Sequence, residues 1–222
     1  MMVQLPGSDQ FAAQRQAMVV SQLRPNAVTD AGVLDAMGMV ARERFLPPAL
    51  TPVAYIDAAL PLGGGRVANP PIATGRLLTM AAPRAGERAL VVGAAGGYAA
   101  ALLAAIGVKV VALESDAALV ALARAALGDQ AEITLVEAPL AEGHAAGAPY
   151  DLIYIDGAVE DVPPALVDQL AVGGRLASGI VDRGVTRLCL GRRTAGGFGL
   201  NDFADLEAAV LPGFARPKAF TF

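Results

Sequence analysis

Hydrophobic and polar positions change rhythm twice along the chain. From about Asp9 to Pro48, Gln and Arg interleave with Ala, Met, Val and Leu at a spacing that predicts helices, broken at Arg24-Pro-Asn-Ala-Val-Thr-Asp30. Thr29 or Asp30 is placed to cap the next helix, which carries Val33, Leu34 and Met37 at helical spacing. Between Pro47 and Pro71 the periodicity is lost. Pro47, Pro48, Pro52, Pro61, Pro70 and Pro71, with the run Gly63-Gly64-Gly65, predict a structured loop region, the natural place for a substrate lid or mouth. A short helix through Leu77 to Ala82 follows.

Regularity returns after residue 82. Segments 88–92, 109–113, 132–136, 151–155 and 174–181 read as near-continuous apolar strands, and 98–106, 117–127 and 163–170 as the helices between them. Apolar strands alternating with helices predict an α/β fold, a doubly wound and mostly parallel sheet covered on both faces. Thr186 to Arg193, a Gly196-Gly197 turn and the terminal Ala219-Phe-Thr-Phe read as an antiparallel C-terminal edge. Residues 1–82 are expected to pack, as helices and loop region, on a core formed by 83–222 in a single compact unit.

Composition narrows the function classes. With 222 residues, 55% of them hydrophobic, the chain is long and apolar enough for one sizeable core, which excludes a disordered tail. A formal charge of −4 lacks the electrostatic footprint of a nucleic-acid binder. Cys189 has no second cysteine to pair with and reads as a small buried hydrophobe. The stretch Ala89 to Val108 carries no charge, yet Gly93-Ala-Ala-Gly-Gly97 inside it predicts strand, tight loop and helix rather than a membrane span. The first residues show neither a basic region nor an apolar run of the secretory kind, so the expectation is a cytoplasmic protein without membrane contact, as monomer or homodimer. His144 and the pair Arg192-Arg193 read as loop and solvated edge residues.

Candidate chemistry gathers at the first strand of the regular part. Leu90-Val91-Val92 runs into Gly93-Ala94-Ala95-Gly96-Gly97-Tyr98 and a helix, so small residues permit close backbone approach and a helix start offers free N–H groups. About 20 residues on, Glu114 ends the next strand, the position that takes ribose hydroxyls in doubly wound nucleotide folds. The glycine order differs from the dinucleotide pattern G-x-G-x-x-G. It fits better the G-x-G-x-G loop of S-adenosylmethionine enzymes, with Ala95 in the middle place. A plain strand-to-helix turn with a solvated Glu114 is the competing reading.

Several motifs then fall in register. Met18-Val-Val-Ser-Gln-Leu23, Arg42-Glu-Arg-Phe-Leu-Pro47, Ala54-Tyr-Ile-Asp57, Leu60-Pro-Leu-Gly-Gly-Gly65, Val91-Val-Gly-Ala-Ala-Gly-Gly-Tyr98 and Val172-Gly-Gly-Arg-Leu176 together resemble the protein-L-isoaspartate O-methyltransferase family. The resemblance implies a class I methyltransferase fold, S-adenosylmethionine as donor leaving as S-adenosylhomocysteine, and the free carboxylate of an isoaspartyl residue in a peptide or protein as acceptor. It places Gly93, Ala94, Ala95, Gly97, Tyr98, Glu114, Ser115, Glu137 and Asp156 around the donor, and Leu62, Gly64, Val67 and Ala68 on the acceptor side. Asn69 stands where the family carries its active-site serine. The chain departs from the family also at Ala138-Pro139-Leu140, in place of Gly-Asp-Gly, and at Tyr154-Ile155-Asp156-Gly157, in place of Val-Thr-Ala-Ala.

A carboxylate acceptor is already an anion near neutrality, since carboxyl pKa values lie near 4, and needs no general base. Orientation and exclusion of water suffice, and an Asn amide can donate the hydrogen bond that a serine would. Asn69 reads equally as a turn residue before Pro70. Two alternatives remain open from sequence. Asp156 resembles the carboxylate by which metal-dependent small-molecule O-methyltransferases hold a divalent cation, but where those enzymes add an Asp-Asn pair this chain offers only Asp182, and no metal is expected here. A non-catalytic S-adenosylmethionine-binding protein of the same fold is the other.

Overall fold

The computed structural model describes residues 8–216. The chain opens with α1 (Ser8–Met18), continued by a π turn at Val19–Leu23, and α2 (Ala31–Met39). Asp30 caps α2 by accepting from Val33 N, and Val33, Leu34 and Met37 are buried. The region between Pro47 and Pro71 is more ordered than its prolines suggest: a 3-10 segment at Pro48–Val53 leads to a hairpin of β1 (Leu60–Gly63) and β2 (Arg66–Ala68). Helix α3 (Pro71–Ala81) begins six residues before the expected Leu77, because a proline in the first turn gives up only an N–H that has no helical partner.

The regular part follows as β3 (Arg88–Val92), α4 (Tyr98–Ala105), β4 (Lys109–Glu114), α5 (Ala117–Leu127), β5 (Ile133–Glu137), β6 (Tyr150–Val159), α6 (Pro164–Asp168), β7 (Leu170–Asp182), β8 (Val185–Thr194) and β9 (Gly197–Asp205). Helix α4 is buried along most of its length, as its sequence Tyr-Ala-Ala-Ala-Leu-Leu-Ala-Ala requires. The order across the sheet is β5-β4-β3-β6-β7-β8-β9, parallel from β5 to β7 and antiparallel beyond. The antiparallel edge is therefore β8 and β9. The terminal Ala219-Phe-Thr-Phe, read as part of that edge, lies outside the described residues.

Alternate residues of each strand feed two cores. Val91, Ala112, Leu152 and Tyr154 pack with α2 and α4 on one face, while Leu90, Val92, Leu113, Ile153 and Ile155 pack on the other with Leu166, Leu211 and Phe214. The second face depends on the irregular segment after β9. Ala158 N donates to Ala209 O at 2.7 Å and Leu211 N to Ala158 O at 2.9 Å, so residues 209–211 lie beside the end of β6 as a strap. Among the described residues no helix is long and apolar enough to cross a membrane. Arg193 is not a solvated edge residue: its Nη1 donates to the carbonyls of Val167, Asp168 and Leu170 at the end of α6. Cys189 is buried on β8, and burial pushes its thiol up to about 11.

Candidate active site

The chain runs outward from β3 through β4 to β5 and then crosses back to β6 on the other side of β3, and the crevice at such a switch point is where open α/β sheets take ligands. The loop 93–97 leaves β3 there. Gly97 precedes α4 and Tyr98 is its first residue. Ala95, in the middle place of the loop, takes a left-handed φ of 49°, the backbone conformation that usually selects glycine.

Glu114 ends β4 beside this loop and is fully buried. Its Oε1 accepts from Arg66 Nη1 at 2.5 Å, Ser115 N at 2.8 Å and Asp116 N at 3.0 Å. Its Oε2 accepts from Arg66 Nη2 at 3.0 Å and Ala95 N at 2.8 Å. Every lone-pair direction toward the crevice is thus used by the chain itself. Arg66 arrives on β2, whose hairpin tip lies over the N-terminus of α5, where a Cβ added at Gly64 would stand 3.1 Å from Asp116 Oδ2.

Asp156 sits on the far side of the switch point, where β6 departs from regular register with β7 between Tyr154 and Ala158. Such an irregularity re-aims a side chain. Asn69 Nδ2 donates to Asp156 Oδ1 at 2.8 Å, and Asn69 Oδ1 accepts from Ala209 N at 2.7 Å. Burial raises the Asp156 carboxyl to about 6, against the lowering effects of the Asn69 bond and the Arg42 and Arg66 charges. Arg42 is buried, donates to the carbonyls of Ala54 (2.8 Å) and Asn69 (2.7 Å), and stands 4.9 Å from the centre of the Tyr98 ring. Burial lowers its pKa, with Tyr98 and Asp156 opposing.

Of the residues expected around donor and acceptor, the fold brings Gly93, Ala94, Ala95, Gly97, Tyr98, Glu114, Asn69 and Asp156 to one crevice. Leu62 and Ala68 line the small cavity there, about 20 Å³, room for about one water. Val67 is on the same hairpin, Gly64 is exposed at its tip, and Ser115 and Glu137 are exposed at the ends of β4 and β5. His144 is a loop residue whose N–H donates to Gln169. Asp182 bonds Arg216, and among the described residues no group of three His, Cys, Asp or Glu comes together as metal ligands would. A larger cavity, about 640 Å³, lies at β8 and β9 beside Met80 and Phe203 and contains none of these residues.

Arg66, Arg42 and Leu211 were not read as site residues from sequence. Arg66 alone had a signal, as the only charged residue between Asp57 and Arg76. Leu211 covers Gly93: a side chain added at Gly93 would meet Leu211 Cδ1 at 2.7 Å, and one at Gly157 would meet Ala209 O at 2.3 Å. The residue types fit a nucleoside donor, with a carboxylate for vicinal hydroxyls, a bare glycine face and a helix start. Arg66 covers that carboxylate and Leu211 that glycine face.

Comparison with known proteins agrees with this architecture. A solved protein-L-isoaspartate O-methyltransferase superposes with a TM-score of 0.77 at 22% identity, covering 90% of this chain and 66% of that one. A Plasmodium falciparum structure given the same function, in complex with S-adenosyl-L-homocysteine, superposes at 0.75 with 18% identity, covering 88% of this chain and 95% of that one. At those identities the likeness is one of fold. The protein-L-isoaspartate O-methyltransferase of Methylorubrum populi is 42% identical over 203 residues, 90% of this chain and 95% of that relative. The sequence profile described as Protein-L-isoaspartate(D-aspartate) O-methyltransferase matches residues 13–198, and the chain belongs to that family.

Proposed function

We propose that this chain is an S-adenosylmethionine-dependent carboxyl methyltransferase acting on the free carboxylate of L-isoaspartyl residues in damaged proteins, a repair reaction. The family match over residues 13–198 carries the reading. When bound at the switch point, S-adenosylmethionine would supply a sulfonium methyl group open to attack by a carboxylate oxygen, with the thioether as leaving group.

The chain's own residues position and exclude. Glu114 provides the acceptor atoms for ribose hydroxyls, and Gly93, Ala94, Ala95 and Gly97 allow close approach of the backbone, with Tyr98, Ser115, Glu137 and Asp156 around them. The Asn69 amide orients the acceptor carboxylate, and Leu62, Gly64, Val67 and Ala68 flank the peptide. No proton has to be removed from an anionic acceptor, so the work is alignment in a water-poor crevice. Residues 1–82 supply the acceptor side and 83–222 the donor side.

The test is transfer of labelled methyl from S-adenosylmethionine to an isoaspartyl peptide with and without a chelator. Transfer unaffected by the chelator supports this reading, whereas transfer only to small hydroxyl acceptors, abolished by the chelator, assigns Asp156 the metal role. A second reading, a member of the family without transferase activity, is favoured by one observation: Glu114 is saturated by internal partners. Absence of both binding and transfer in the folded chain supports that reading.

A further inference from the structure

Two independent features place parts of the chain where a donor would lie. The Glu114 carboxylate is covered by the fork of Arg66, and the bare side of Gly93 is covered by Leu211. Both occupants come from segments outside the seven-stranded sheet. Arg66 rides on the two-stranded hairpin whose tip, Gly63-Gly64-Gly65, is exposed, and Leu211 on the strap after the last strand, which is joined to β6 by the two backbone bonds of one isolated bridge. The Arg66 fit is also incomplete, since its Nε is buried without a hydrogen-bond partner. An optimised structural ion pair satisfies every donor, and one with an orphaned N–H is less costly to exchange.

Resting on the donor reading above, we infer that Arg66 and the Leu211 strap are an internal occupant of the donor site, and that S-adenosylmethionine binds only as both are expelled. Arg66 then stands in for the ribose hydroxyls at Glu114, and Leu211 for the part of the donor that crosses Gly93. The hairpin also carries the acceptor-side residues, and Asn69, just beyond it, holds the strap through Ala209 N. Release of the strap therefore frees Asn69 Oδ1, while Nδ2, the donor for an acceptor carboxylate, stays on Asp156. A binding-competent form that is a minor population lowers apparent affinity by its fraction, so removing an occupant tightens binding.

The experiment is calorimetric titration with S-adenosylhomocysteine of the full chain, Arg66→Met and Leu211→Ala, together with amide exchange of the full chain with and without the ligand. The expected result is at least about tenfold tighter binding by each variant, and faster exchange at the Ala209 and Leu211 amides when the unmodified chain is saturated. Leu211→Ala leaves the Glu114 pair intact, so it carries the test if Arg66→Met unfolds. Equal affinity in all three, or slower exchange of the strap with ligand, overturns the inference and leaves the donor reading standing. No binding by any of the three overturns both.

Discussion

Asn69 and Asp156 are hydrogen-bonded to each other across the switch point, Nδ2 to Oδ1 at 2.8 Å, although 87 residues separate them in sequence. The residue that the resemblance sets in the place of a serine is thus tied to the carboxylate of Tyr154-Ile155-Asp156-Gly157, another of the departures it marks. The two departures form one unit. A serine hydroxyl is too short to reach both Asp156 and Ala209 N as the Asn amide does.

That unit has a pH signature. Burial raises the Asp156 carboxyl from 3.8 to about 6, so the folded chain holds this proton more tightly than the unfolded one. Its contribution is fully present below the ordinary value and is lost as pH rises through about 6. Asp156→Asn, which keeps an oxygen for Asn69, should stabilise the chain by about 1 to 2 kcal/mol near pH 8, with the gain vanishing toward about pH 4. Denaturant unfolding at the two pH values measures it.

Removing the bridge itself should destabilise. Asn69→Ala leaves Ala209 N without its acceptor and Asp156 without its donor, a loss of about 2 kcal/mol. Asn69→Ser should restore only part of it. Exchange at the Ala209 amide should accelerate in both variants more than exchange in β3, which local loosening of the strap requires.

Gly96 is set against backbone. An added Cβ would lie 2.1 Å from Phe45 O, an atom that cannot swing aside, so Gly96→Ala should cost about 3 kcal/mol. Gly65→Ala, at the open hairpin tip, meets nothing within 4 Å and carries only the strain of its φ of +78°, about 1 kcal/mol. Thermal unfolding of the pair separates packing from backbone strain.

Arg175 and Glu87 tie β7 to the start of β3. Arg175 Nη1 and Nη2 reach the Glu87 carboxylate at 3.0 and 2.7 Å, and its Nε donates to Ala81 O at 2.6 Å. Burial pushes Glu87 upward, but the Arg175 bonds and the Arg84 N–H outweigh it and hold the carboxyl below its ordinary value. The stabilisation is present above the ordinary carboxyl pKa and is lost as pH falls through the lowered one. Arg175→Met should cost about 2 to 3 kcal/mol near neutrality and less in acid, as denaturant unfolding can check.

Much of the fold was legible because local signals coincide with the tertiary answer. Helix α5 runs over Ala117–Leu127, the expected bounds, since Asp116 caps its start through Ala118 N and Leu119 N and Gly128 follows its end. The glycine loop and Glu114 were legible for a similar reason, lying at the ends of apolar strands. The start of helix α3 is ambiguous in the sequence because Pro70-Pro71 signals both a loop and a helix start. What no local signal carries is pairing at long range: Arg66 meets Glu114 across 48 residues and Asn69 meets Ala209 across 140. Such contacts depend on where the hairpin and the strap return over the sheet. For that reason the strand-end residues are legible in the sequence and the residues that cover them are not.

The most direct test of the central claim compares an isoaspartyl peptide with its aspartyl twin, incubated with the chain and S-adenosylmethionine under identical conditions. Methyl ester formation on the isoaspartyl peptide alone is the expected result. Methylation of both peptides at similar rates, or of neither by a chain that binds S-adenosylhomocysteine, contradicts it.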